Sequence, residues 1–131
     1  MTGAVITSQT KAEQLQERLI AFAVRILPLA NRLNGTFAGK HIADQLLRSG
    51  TSAAPNYAEA RSAESKADFV HKLRIAIKEL NETDVWLQVV QRSGLLKAEL
   101  LSDMLAECGE LKRILGASIH TARRNTIGAE H

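Results

Sequence analysis

The sequence predicts an all-α fold, an antiparallel up-down-up-down four-helix bundle, and three observations lead there. Apolar residues recur at steps of three and four along most of the 131 residues, the spacing of one face of a helix. Aromatic residues make up 4% of a chain that is 45% hydrophobic, so its interior is built mainly from Leu, Ile, Val and Ala, a palette suited to helices packed on helices. The connections between the periodic stretches are short, which makes neighbouring helices antiparallel. Alternating apolar and polar runs, the mark of strands, are absent apart from AVIT at residues 4–7. A chain of this length is expected to form one domain, residues 1–131, with 1–9 and 125–131 frayed.

The first helix is expected over Lys11–Leu33, with Leu15, Leu19, Phe22, Ile26, Leu29 or Ala30, and Leu33 on one stripe. Pro28 removes a backbone donor and crowds the carbonyl of Val24, so a kink or local break is expected there. NGT at 34–36 reads as the turn.

The second helix starts near Phe37 or Ala38 and reaches Arg61, its stripe being Ile42, Leu46, Ser49 or Gly50, Ala53, Tyr57 and Ala60. The stripe passes through Pro55 without losing step. Two readings are open: one continuous helix bent at Pro55, or a restart capped by Ser52 that places Pro55 in a first turn, where its missing donor costs nothing. The unbroken phase favours the bent, continuous helix. Gly50, Ala53, Ala54, Ala58 and Ala60 offer little bulk, so another backbone can come close. Gly50, Ser52, Pro55, Asn56 and Glu59 are the candidate close-packing residues, with Asn56 and Glu59 facing Asp84 in a buried polar contact that fixes register.

Ser65, followed by Asp68, is a plausible cap for the third helix. Its stripe is Phe69, Leu73, Ala76 or Ile77, Leu80, Leu87 and Val90, interrupted by polar Thr83 and Asp84, and RSG at 92–94 ends it. The fourth helix begins near Lys97, carries Leu101, Met104, Cys108, Leu111, Leu115 and Ser118 on its stripe, and is expected to fray after Arg124.

RSGTSAAPNYAEA, followed by SKADFVHKLRIAIKELNETDVWL over 65–87, resembles the signature of the bacterial four helix bundle proteins. These are the 23S ribosomal RNA intervening-sequence proteins, a family that also includes accessory proteins of diversity-generating retroelements. The resemblance is densest from Ala43 to Leu87, and the chain departs from the family pattern at Tyr57 and Ala60. It implies an antiparallel bundle that assembles into a ring, a homopentamer in relatives. For the retroelement branch it implies binding to a reverse transcriptase and to nucleic acid. It implies no enzymatic activity.

Charge is consistent with such partners without requiring them. The net charge is +3, and the excess of cations lies in residues 1–65 and 111–131. Lys11, Arg18, Arg25 and Arg32 recur every seventh residue and so form one ridge on the first helix. Arg113, His120 and Arg124, with Lys112 and Arg123 beside them, form a second ridge on the fourth. All of these except Lys112, eight in number across the two ridges, are the candidate nucleic-acid-binding residues. A third set, His71, Arg74 and Lys78, carries less weight because Glu79 and Glu82 would offset its field.

The remaining patterns argue against catalysis and metal binding. A di-iron bundle needs paired Glu-x-x-His motifs, which this chain lacks, and no phosphate loop or nucleophile elbow occurs. No cofactor is expected. The single cysteine, Cys108, reads as a small buried hydrophobe and fits a reducing, cytoplasmic setting. No leader pattern opens the sequence, and no run of 18 apolar residues would span a membrane.

Overall fold

The computed structural model describes residues 8–129, with side chains to residue 125; AVIT and the start of the segment expected to fray lie outside the described residues. Five helices follow one another: α1 (Lys11–Leu33), α2 (Phe37–Gly50), α3 (Ala53–Arg61), α4 (Lys66–Ser93) and α5 (Ala98–Ala129). No strand occurs among the described residues. Thr51 and Ser52 alone separate α2 from α3, and both pack against α1 and α4, so the five helices make a bundle of four rods.

Local chemistry sets the boundaries. Thr10 closes a capping box at the start of α1: its hydroxyl accepts from the Glu13 amide at 3.0 Å, and the Glu13 carboxylate accepts from the Thr10 amide at 2.8 Å. That backbone bond holds the Glu13 carboxyl below its usual range. The box was not among the expected caps. Thr36 and Ser65 cap α2 and α4 by accepting from the amides of Gly39 and Asp68, each at 3.0 Å. Gly94, at φ 75°, ends α4 in the left-handed region that glycine adopts without strain. α1 runs unbroken through Pro28, whose side chain is exposed. α5 continues past Arg124 to Ala129.

The continuous second helix bent at Pro55 is corrected. The helix stops at Gly50 and restarts at Ala53, which puts Pro55 in the first turn of α3, where no helical bond is lost. Ser52 stands at the cap position but stays in the right-handed helical region, at φ −88° and ψ −29°. The apolar stripe therefore keeps its phase across a broken hydrogen-bond ladder, which is why periodicity alone could not reveal the break. Side chains add second bonds to the carbonyls that flank the break, which already accept from the Thr51 and Asn56 amides. The Thr51 hydroxyl donates to the Leu47 carbonyl at 2.6 Å, and the Asn56 amide donates to the Ser52 carbonyl at 2.9 Å and to its hydroxyl at 3.1 Å.

The core is built on the stripes read from the sequence, except that Phe69 and Ser118 are only half-buried and Ala43 and Ala54 join it. Leu15, Leu19, Phe22, Ile26, Leu29, Ala30 and Leu33 of α1 are buried, as are Ile42, Leu46, Ala53, Tyr57 and Ala60 of the second rod. Leu73, Ala76, Leu80, Leu87 and Val90 of α4 meet Leu101, Met104, Cys108, Leu111 and Leu115 of α5 in the same cluster. Each large apolar side chain among them stabilises the fold by about 1.5–3 kcal/mol. Thr83 does not interrupt its stripe: it is fully buried, and its hydroxyl donates toward Ser49 (3.0 Å) and the Glu79 carbonyl (2.8 Å). The Cys108 thiol donates to the Leu80 carbonyl at 3.2 Å, and burial pushes its pKa up to about 12.

α1 packs on α2, α3 and α5, and α4 packs on the same three, so α1 and α4 occupy opposite corners of the bundle. Ser49 meets Thr83 while Glu59 meets Lys72, which shows the second rod and α4 running in opposite directions.

Candidate nucleic-acid interface

Helical periodicity places the predicted cations on the outside of α1 and α5, and the contacts between the two helices then divide them into two groups. Arg18 and Arg113 are engaged. The Arg18 guanidinium grips Glu107 with two bonds, Nε to Oε2 at 3.1 Å and Nη2 to Oε1 at 2.7 Å, and lies 3.5 Å from Glu110. The hydrogen bond to Glu107 holds the Arg18 pKa above its usual value. Arg113 donates to the other oxygen of Glu110 at 3.1 Å. The two residues and their carboxylates form one chain of charge across the α1–α5 seam.

Lys11, Arg25, Arg32, His120, Arg123 and Arg124 behave differently. All six are exposed, and none makes an ion pair or side-chain hydrogen bond among the described residues. On α5 the acids Glu99, Asp103, Glu107 and Glu110 precede the cations Arg113, His120, Arg123 and Arg124, so the helix passes from acidic to basic along its length. Its basic part lies toward the end of the bundle where α1 begins, because Lys11 and Leu15 share a groove with Ser118 and Thr121.

The set given least weight in the sequence gains from the structure. Glu79 and Glu82, expected to offset His71, Arg74 and Lys78, are instead bound by Arg48 of α2, at 3.3 Å for Glu79 and closer for Glu82. Glu82 also accepts from the Trp86 indole at 3.3 Å, and the His41 ring meets that indole edge-on at 6.0 Å. His71, Arg74 and Lys78 are left without ion-pair partners among the described residues. Spacing along one helix gave no sign of this, because the competing cation comes from another rod.

The proposed close-packing residues also separate. Gly50 is buried where a Cβ would lie 2.7 Å from the Ile26 side chain. Ser52 and Asn56 are half-buried and bonded to each other. Pro55 and Glu59 are exposed, Glu59 pairing with Lys72 at 2.7 Å. The expected contact of Asp84 with Asn56 and Glu59 is not formed. Asp84 turns toward α5, accepting from Lys112 at 3.0 Å and from Gln88 at 2.6 Å. A wheel drawn for α4 alone does not distinguish its two flanks; the hydroxyl pair of Ser49 and Thr83 fills the place assigned to Asp84.

A groove of about 590 Å³ opens between α1 and α5, lined by Leu15, Tyr57, Phe69 and Ile114 with Lys11 and Thr121 at its edge. Burial raises the Tyr57 pKa. No group of three or more metal-ligating side chains occurs among the described residues, and no helix there is long and apolar enough to cross a membrane.

Residues 11–117 match the family model of the 23S rRNA-intervening sequence protein. Among solved structures, the chain is similar to a protein of unknown function from the S23 ribosomal protein family of Bacteroides thetaiotaomicron. The two are 36% identical, with 80% of this chain and 97% of that one covered and a TM-score of 0.76. No curated protein matches the chain.

Proposed function

From the premise that the chain belongs to the 23S rRNA-intervening sequence protein family, we propose that it is a non-enzymatic, homo-oligomeric, up-down-up-down bundle that binds nucleic acid or a ribonucleoprotein partner. The observation that carries this reading is the group of exposed cations without carboxylate partners, Arg25 and Arg32 on α1 and Arg123 and Arg124 on α5. An unpaired guanidinium can meet a phosphate without first giving up a protein partner. Arg18 and Arg113 would have to break their bonds to Glu107 and Glu110, so their contribution is to the α1–α5 seam. Contacts of this kind position a polyanion and read little of its sequence.

The test is retention of RNA and DNA on filters across a series of salt concentrations. Binding should weaken as salt rises, and Arg25→Glu with Arg124→Glu should reduce the log–log slope by about 0.7–0.9 for each phosphate the protein no longer neutralises. Absence of retention at low salt would eliminate this function. The alternative is a protein-interaction scaffold, favoured by the exposed apolar side chains Val24 and Val85, at 57% and 56% exposure. A scaffold's partner would remain bound to the charge-reversed variant.

A further inference from the structure

We propose that the outer face of α1 in one copy of this chain docks on the outer face of α4 in the next. The inference rests on the homo-oligomeric part of the reading above and assigns the surfaces that part leaves open.

The outer stripe of α1 is Glu13, Glu17, Ile20, Val24 and Leu27, spaced by alternating steps of four and three on the side away from the core. Its three apolar members are 41%, 57% and 44% exposed. The outer stripe of α4 is His71, Arg74, Lys78, Val85 and Val89, again at helical steps, with the valines 56% and 38% exposed. Stripes at three-and-four spacing are the ones two helices can interleave along their length.

Both stripes have a charged half and an apolar half, and the charges are opposite. Glu17 has no cationic partner among the described residues, and Arg74 and Lys78 have no anionic partner there either. The halves also stand in the same order along the bundle. Gln16 of α1 is bonded to Arg61, and Lys72 of α4 is bonded to nearby Glu59, so both charged halves lie toward the α3–α4 turn. Ile26 packs at Gly50 and Thr83 bonds to adjacent Ser49, which sets the apolar halves toward the other end.

α1 and α4 sit at opposite corners, so one copy cannot cover either face with the other. Two copies placed side by side with their rods pointing the same way bring acid to base and apolar side chain to apolar side chain. Because the two faces differ, the contact is heterologous: every docked copy still offers one unused face, and assembly passes beyond a dimer. The contact leaves the α5 side, with Arg113, His120 and Arg124, uncovered.

Light scattering on nucleic-acid-free protein tests this. The wild type should form assemblies larger than a dimer. Val24→Glu and Val85→Glu should each be monomeric with unchanged helical circular dichroism, since both side chains are more than half exposed. An equimolar mixture of the two variants should recover a heterodimer, because each retains the face the other needs. Glu17→Arg and Arg74→Glu should each weaken assembly, and the double variant should restore it. A wild-type monomer or dimer, a Val24→Glu or Val85→Glu protein that still assembles fully, or a mixture that stays monomeric would overturn the proposal. Loss of filter retention alone would leave it standing, since assembly is read without nucleic acid.

Discussion

The seams that α2 makes with α1 and α4, and that α4 makes with α5, each hold a buried contact of small, uncharged atoms, with the ion pairs of Arg48 and Lys112 lying outside it, whereas among the described residues the polar contact that spans the α1–α5 seam is an ion pair alone. Where α2 meets α1, a glycine lies against Ile26; where it meets α4, two hydroxyls with no solvent access share a bond. Where α5 meets α4, a thiol is bonded to a main-chain carbonyl. The α1–α5 seam is sparser than any of these, a bidentate guanidinium spans it, and a groove opens beside it. Dry seams require a particular shape at each position, and a charged seam tolerates displacement. Perturbing one residue in each should expose that difference.

The largest effect concerns Cys108. Burial, the main cause of its shift, holds the thiol near 12 against an ordinary value of 9.0, so at pH 8.5 the native thiolate fraction should be about a thousandfold below that of the unfolded chain. A thiol reagent should label Cys108 at a rate set by opening of the α4–α5 seam. Because the folded state holds this proton more tightly, its stabilising contribution is complete below the unfolded value and is lost as pH rises from about 9 toward 12. Rapid stoichiometric labelling of folded protein would show that this seam is not dry.

Next comes Gly50→Ala. The added carbon would lie 2.7 Å from Cγ1 of Ile26, which is fully buried, and overpacking of this kind costs about 1–3 kcal/mol. Gly116→Ala on α5 is the control, since no atom lies within 4 Å of its would-be Cβ and better helix propensity should add about 0.5–1 kcal/mol. Urea titrations of both variants should move the midpoint in opposite directions. Thr83→Val follows at about 1–2 kcal/mol, because it takes from the buried Ser49 hydroxyl the donor that faces it. Adding Ser49→Ala should cost less than the sum of the two single changes.

How legible these seams were in the sequence depends on what builds them. The apolar stripes of all four rods could be read because a helix repeats its buried face every three or four residues, and Leu15 to Leu115 fell where that rule put them. The break at Thr51–Ser52 could not be read, since Ser52 keeps near-helical angles and the stripe crosses it in phase. The charged site was legible only as a set of positions. Arg18 and Arg25 are equivalent on a helical wheel, and what separates them is a carboxylate on α5, a fact of pairing between rods 89 residues apart. Arg48 removing Glu79 and Glu82 from the field of Arg74 is the same lesson on the opposite side.

The smallest effect is expected where the geometry of an ion pair looks best. Arg18→Ala removes both bonds to Glu107, yet the arginine side chain is 39% exposed and the carboxylate 24%, so water already competes for each charge. Exposed pairs contribute about 0.2–1 kcal/mol, and a bidentate one belongs toward the upper end. A double-mutant cycle with Glu107→Gln should return a coupling in that range, and it should shrink as salt is raised toward 1 M, where the screening length falls to about 3 Å. The effects at Ser49 and Thr83 should not respond to salt at all, because no net charge is involved and no solvent reaches them. A salt-insensitive coupling of several kcal/mol at Arg18 would mean that the α1–α5 seam excludes water as the others do. Arg18 would then be a buried structural ion, and the contrast between charged and dry seams would disappear.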